Sequence, residues 1–173
     1  MAEMDPATAE TGARRHVRLG LIALLLTLAI DQGFKLWMIH GFDIADRGIV
    51  AVGPYLDLVM AWNKGISYGL FQQDGETGRW VLVGIKAVAA VVFGAWLLRA
   101  ETRPTAIGLG LIIGGALGNA IDRVAWGAVA DFFSFHVGTF RWYVFNLADA
   151  AIVLGVILLL YDALFGPAAK KPA

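Results

Sequence analysis

Four apolar blocks, Leu19–Ile39, Trp80–Leu98, Thr105–Ile121 and Tyr143–Phe165, decide what this chain can fold into. Each runs about 17 to 23 residues, and a helix needs roughly 20 to cross the hydrocarbon core of a bilayer. In lipid, only helices and closed barrels satisfy every backbone group. The blocks are continuous and do not alternate with period two, which argues against barrel strands. The expected fold is an all-α membrane protein with four transmembrane helices. Composition agrees: 58% of 173 residues are hydrophobic and 16% charged, with room for one domain.

Other classes fall away on the same page. The net charge is zero, so nothing points to nucleic acid. There is no cysteine, which removes disulfides, thiolate nucleophiles and Cys-based zinc sites together. His16, His40 and His136 are isolated and no H-E-x-x-H occurs, so no metal site is expected.

Arg14, Arg15 and Arg18 before Leu19 resemble the start of a signal peptide. The run after Ile30 is Asp31-Gln32-Gly33-Phe34-Lys35, without a small-x-small cleavage site, and apolar character resumes to Ile39. The first block is therefore read as a retained span. Short basic segments mark the cytoplasmic side. Arg14, Arg15 and Arg18, then Arg99 and Arg103, then Lys170 and Lys171 all fall on one side of a four-span plan. Both termini are expected to be cytoplasmic.

The chain divides into a flexible arm over 1–18, a single membrane domain over 19–165 and a flexible tail over 166–173. Two outer segments, 40–79 and 122–142, join the spans. In the first, Ile49-Val50-Ala51-Val52 and Tyr55-Leu56-Asp57-Leu58-Val59-Met60 are strand-like, with Gly53-Pro54 as the turn. A small extracytoplasmic β-containing segment is expected. Gly110, Gly114 and Gly118, four apart on the third span, form a face for close helix packing.

Chemistry should sit where polar groups resist the membrane. An Asp at a helix centre costs about 2.5–3.5 kcal/mol on insertion scales. Asp31 and Lys35 can pair across one turn. Lys86 either snorkels or finds a carboxylate, and the first reading is preferred. Asp149 follows the interfacial cluster Arg141-Trp142-Tyr143 by six residues, so it is expected roughly 9 Å below that boundary, with Asn146 on its face. Asp131 sits among Trp126, Phe132, Phe133 and Phe135, which disfavours its ionised form. Two acids that meet share a proton, and such a pair supplies a base for water and an acid for an amide carbonyl.

Rival readings stay open at this point. Gly65-Ile66-Ser67-Tyr68-Gly69 fits G-x-S-x-G, and an intramembrane serine protease would take His40 or His136 as its base. A proton-coupled carrier also uses buried Asp and Lys, although here the polar residues gather towards one face. A purely structural bundle is the third. Peptide cleavage by purified protein separates the enzyme from the last two.

At these residues the chain resembles the lipoprotein signal peptidase family, also called signal peptidase II. The likeness runs in order from about 19 to 165. It comprises Asp31-Gln32-Gly33-Phe34-Lys35, the N-x-G of Asn63-Lys64-Gly65, Gly118-Asn119-Ala120-Ile121-Asp122-Arg123, Val129-Ala130-Asp131-Phe132 and Phe145-Asn146-Leu147-Ala148-Asp149. The resemblance implies a catalytic dyad of Asp131 and Asp149. It implies that Asp31, Lys35, Asn63, Gly65, Asn119, Arg123 and Asn146 support the dyad or the substrate, and that Asp122 is structural. It further implies no cofactor, and a monomer among membrane lipid in the bacterial inner membrane with its site at the periplasmic face. The implied substrates are prolipoproteins, cleaved before a diacylglyceryl-modified cysteine. Ser67-Tyr68 depart from the Ala-Phe more usual after N-x-G.

Overall fold

The computed structural model describes residues 6–65 and 76–167. The chain runs α1 (Pro6–His40), α2 (Ile44–Arg47), β1 (Val50–Ala51), β2 (Leu56–Asn63), α3 (Glu76–Leu97), α4 (Arg103–Trp126), β3 (Val129–Val137), β4 (Phe140–Arg141) and α5 (Leu147–Phe165). Of these, α1, α3, α4 and α5 are long and apolar enough to cross a membrane, as the four blocks require. Val88 and Val91 on α3 and Leu154 and Ile157 on α5 are exposed. Such faces suit lipid and would be a liability in water.

Helix α4 is the one the others pack around, with Leu109, Ile112, Ile113 and Ala116 buried along it. Its glycines make this possible. Gly110 and Gly114 lie against the backbone of Gly20 and Leu24 in α1, so that α1 and α4 run parallel at close range. A second glycine face, absent from the sequence expectation, meets α5: a Cβ on Gly115 would lie 2.5 Å from the carbonyl oxygen of Ala148. Gly118 differs from its two companions, because a Cβ there would meet the Asp31 carboxylate at 2.5 Å. The third glycine makes room for a polar group.

Helix ends depart from the block boundaries for local reasons. Residues 6–18, expected to be a flexible arm, are helical from Pro6. Proline is tolerated at a first helical position, and Ala7, Ala9 and Ala13 favour propagation. Residues 168–173 of the expected tail lie outside the described residues. Helix α4 starts at the Thr102 cap, whose side chain accepts the Thr105 N–H. It extends past Ile121 to Trp126, so Asp122 and Arg123 belong to the helix and not to the connection after it. Gly127 stops it in the left-handed region at φ 77°, its N–H returned to Arg123 O. At this far end from the sheet, Asp162 of α5 accepts hydrogen bonds from the hydroxyls of Thr102 and Thr105.

The expected strand pair in segment 40–79 is present as β1 and β2, antiparallel across the Gly53-Pro54 turn. Segment 122–142, in which no strand was expected, supplies the rest of a four-stranded antiparallel sheet, order β1-β2-β3-β4. Its Val129–Val137 run is rich in β-branched and aromatic residues, and Gly138, at φ 60°, turns it into β4. Between Leu58↔Phe133 and Ala61↔Asp131 the register slips by one residue, a bulge placed beside Asp131. Met38, Ile44, Ala130 and Phe132 form a buried cluster that seats the sheet on the end of the bundle. Phe34 of α1 stacks on Phe133 at 5.5 Å.

Candidate active site

Helix α5 opens at Asn146, whose side chain accepts the Asp149 N–H at 3.0 Å while Asp149 Oδ2 accepts the Asn146 N–H at 3.3 Å. This reciprocal cap requires the two residues to stand three apart. It also corrects the expected depth of Asp149. Residues 143–146 are not helical, and Phe145 bridges instead to Phe133 of β3. Asp149 therefore lies in the first turn of α5 rather than about two turns down a helix starting at Tyr143.

The same bridge delivers Asp131. Phe132 and Phe133 of β3 both donate their N–H to Phe145 O, and Phe145 N–H returns to Phe133 O. Asn146, next in the chain, then reaches Asp131 with its Nδ2 at 2.6 Å from Oδ1. One residue touches both acids. Asn119 Nδ2 donates to Asp149 Oδ1 at 2.9 Å, and Asn63 Nδ2 donates to Asp131 Oδ2 at 3.1 Å. All four carboxylate oxygens thus receive an N–H.

Each amide is held in its orientation by a donor at its oxygen. Gly65 N–H donates to Asn63 Oδ1 at 3.0 Å. Lys35 Nζ donates to Asn119 Oδ1 at 3.1 Å, alongside Asn146 Nδ2 at 3.0 Å. Arg123 clamps the exit of β2, its Nη2 donating to Gly65 O at 2.7 Å and its Nη1 to Asn119 O at 3.4 Å. Nine of the ten residues expected to act at the site, Asp31, Lys35, Asn63, Gly65, Asn119, Asp122, Arg123, Asp131 and Asp149, converge here around the tenth, Asn146.

Beneath the acids lies a buried ionic knot. Lys35 Nζ is 2.8 Å from Asp31 Oδ2 and 2.7 Å from Asp122 Oδ2, with all three side chains almost fully buried. The expected pair of Asp31 and Lys35 is there, with Asp122 as a third member. Each acid also takes a backbone N–H: Asp31 Oδ1 from Ala148 at 3.0 Å, Asp122 Oδ2 from Ala130 at 3.3 Å. Ala148 precedes Asp149, and Ala130 precedes Asp131. The knot therefore pins the chain one residue before each acid. It also satisfies a free N–H at the start of α5, which a helix end shielded from water must do.

Gln32, which sequence reasoning passed over, completes this layer. Its Nε2 donates to Asp122 Oδ1 at 2.9 Å and to Gly118 O and Asp31 Oδ2 at 3.2 Å each. Its only signal was an amide inside an apolar block, adjacent to Asp31. Lys86, read as snorkelling, lines the cleft at the site. His136 is elsewhere, 3.3 Å from Asp57 on the sheet, and Ser67 and Tyr68 lie outside the described residues.

The cleft holds about 200 Å³ and is lined by Asn63, Lys86, Asn119, Arg123, Tyr143 and Asp149 among others. Asp149 opens onto it, whereas Asp131 is only 2% exposed behind it. Burial, and after it the neighbouring Asp149 carboxylate, push the Asp131 carboxyl up to about 7, outweighing the hydrogen bonds from Asn63 and Asn146. An acid that keeps its proton near neutral pH beside one open to water is a set for general acid–base chemistry.

Known proteins share much of this sequence and its fold. The family model described as signal peptidase (SPase) II matches residues 23–165. A lipoprotein signal peptidase of Rhodopseudomonas palustris (strain TIE-1) is 55% identical over 161 residues, 90% of this chain and 98% of the relative. One from Nitrobacter hamburgensis is 57% identical over 161 residues, with the same coverage of both chains. A solved structure described as a bacterial membrane enzyme shares the fold, with a TM-score of 0.75 at 24% identity, over 89% of this chain and 92% of the other. The match spans every element that builds the site, and this chain belongs to the signal peptidase II family of proteases.

Proposed function

We propose that the chain removes signal peptides from bacterial prolipoproteins at the outer face of the inner membrane, cutting before a diacylglyceryl-modified cysteine with Asp131 and Asp149 as an aspartic dyad. The observation that carries this is Asn146 touching both acids, Nδ2 at 2.6 Å from Asp131 and backbone N at 3.3 Å from Asp149. Asp149, open to the cleft, takes a proton from water as the water oxygen attacks the scissile carbonyl carbon. Asp131 gives its proton to the carbonyl oxygen, forming a neutral diol. Asp149 then passes its proton to the departing nitrogen as the C–N bond breaks, and Asp131 recovers one from a diol hydroxyl. The products are a carboxylic acid and an amine. The relatives' name, the apolar faces beside the cleft and its place at one end of the bundle support a lipid-anchored substrate.

The test is processing by purified protein in detergent of a precursor peptide with and without the diacylglyceryl group. The lipidated peptide is expected to be cut at least about tenfold faster, because each buried methylene of its chains adds about 0.8 kcal/mol of binding. Ser67→Ala is expected to retain activity within about twofold, since no step uses a serine nucleophile. Equal rates on both peptides, or loss of activity in the serine variant, would overturn this reading.

A pH dependence follows from the raised Asp131 group. Below about 7 it holds the proton it must donate, and above 7 it loses it. The rate is therefore expected to fall about tenfold per pH unit on the alkaline side. A flat kcat/KM between pH 7 and 9 would count against Asp131 as the acid.

A further inference from the structure

Lys86 is the charged side chain at the site that the mechanism leaves unused. It sits in the middle of α3, whose remaining charges, Glu76 and Arg79, lie in its first turns. Leu82, Ile85 and Lys86, spaced as one helical face, line the same cleft as Asn119, Arg123 and Asp149. Helix α3 starts at the sheet end, and side chains on a helix tilt towards its N-terminus. Lys86 is thereby aimed up the cleft, and among the described residues its ammonium has neither a hydrogen bond nor an ion pair of its own. The charged groups acting on it come from every wall: Arg123 from α4, Asp149 from α5, Lys35 from α1 and Asp131 from β3.

The charges of this region can be set against each other. Lys35, Arg123 and Lys86 face Asp31, Asp122, Asp131 and Asp149. When the dyad holds its one proton, the set is neutral. Without Lys86 it would carry an uncompensated negative charge among largely buried groups, which is costly. The cheapest relief is a second proton on the dyad, and that proton removes the base.

Resting on the dyad reading above, we propose that Lys86 is a positioning residue of the hydrolysis, its ammonium acting across the shared cleft as the counter-charge to the Asp149 carboxylate. Asp149 is then the member of the pair that draws the proton from water. Lys86 touches neither water nor the scissile bond in this role.

The experiment is the pH profile of kcat and KM for Lys86→Met and Lys86→Arg, using the full chain in detergent and a synthetic diacylglyceryl-cysteine precursor peptide. In Lys86→Met the acid limb of kcat/KM is expected to move up by about one pH unit. On that limb kcat should fall about tenfold, with KM within about twofold. Lys86→Arg, which keeps the charge, should return the limb to its wild-type position. If Lys86→Met does not purify folded, Lys86→Gln removes the charge while keeping a polar tip and carries the same test. An acid limb that coincides with wild type in the neutral variants, or a loss lying wholly in KM, would overturn the proposal. Asp131→Asn and Asp149→Asn are run alongside. Their inactivity with an unmoved limb rejects the role of Lys86 alone, whereas turnover by either rejects the dyad itself.

Discussion

Asp131→Asn and Asp149→Asn are each expected to abolish cleavage of a lipidated precursor, a loss of at least about a thousandfold. Neither amide can give and take a proton in the cycle described above. The substitution is close to isosteric but not free of structural cost. Each carboxylate has both oxygens occupied by N–H donors, so an amide nitrogen at either position must face a donor. That mismatch costs about 1–3 kcal/mol, so thermal unfolding in detergent should show folded protein with a lowered midpoint. Turnover above one per cent of wild type in either folded variant would reject the mechanism.

Lys35→Met is expected to be the most damaging single change to stability, costing about 3–5 kcal/mol. It strands Asp31 and Asp122, two buried carboxylates whose shared cation lies 2.8 and 2.7 Å away. Their backbone partners, Ala148 and Ala130, hold the chain next to Asp149 and Asp131. Asn119 would also lose the donor that fixes its amide. The variant should therefore lose activity even at temperatures where it stays folded. Chemical unfolding in mixed micelles reads the first effect, and precursor cleavage at low temperature reads the second. A Lys35→Met protein as stable as wild type would show that the knot is not a keystone.

The four spans could be read from the chain because bilayer thickness fixes their length, and the β1–β2 turn because Gly53-Pro54 announces it. Strand β3 is poorly announced by period, because only 133–137 of the Val129–Val137 run alternates apolar with polar residues. The depth of Asp149 does not follow from helix rise after Tyr143, because the cap at Asn146 starts the helix later. Asp31 with Lys35 was legible as a one-turn pair. Asp122 as the third member was not, since pairing between α1 and α4 exists only once the glycines let them approach. Asn63, Asn119 and Gly65 carried no signal in the residues themselves beyond the family resemblance. An amide's role is set by what surrounds it.

The amide ladder has a direction. At its base stands an ammonium that can only give hydrogens; Asn119 and Asn146 each donate to an acid above them, and Asn146 also donates back to Asn119 Oδ1. No rung offers a lone pair to the acids above it. On the proposed mechanism a hydrogen ion released during turnover therefore finds no acceptor among these three residues. On that mechanism it passes among the two aspartates, the water and the substrate, and not through the amides that hold them.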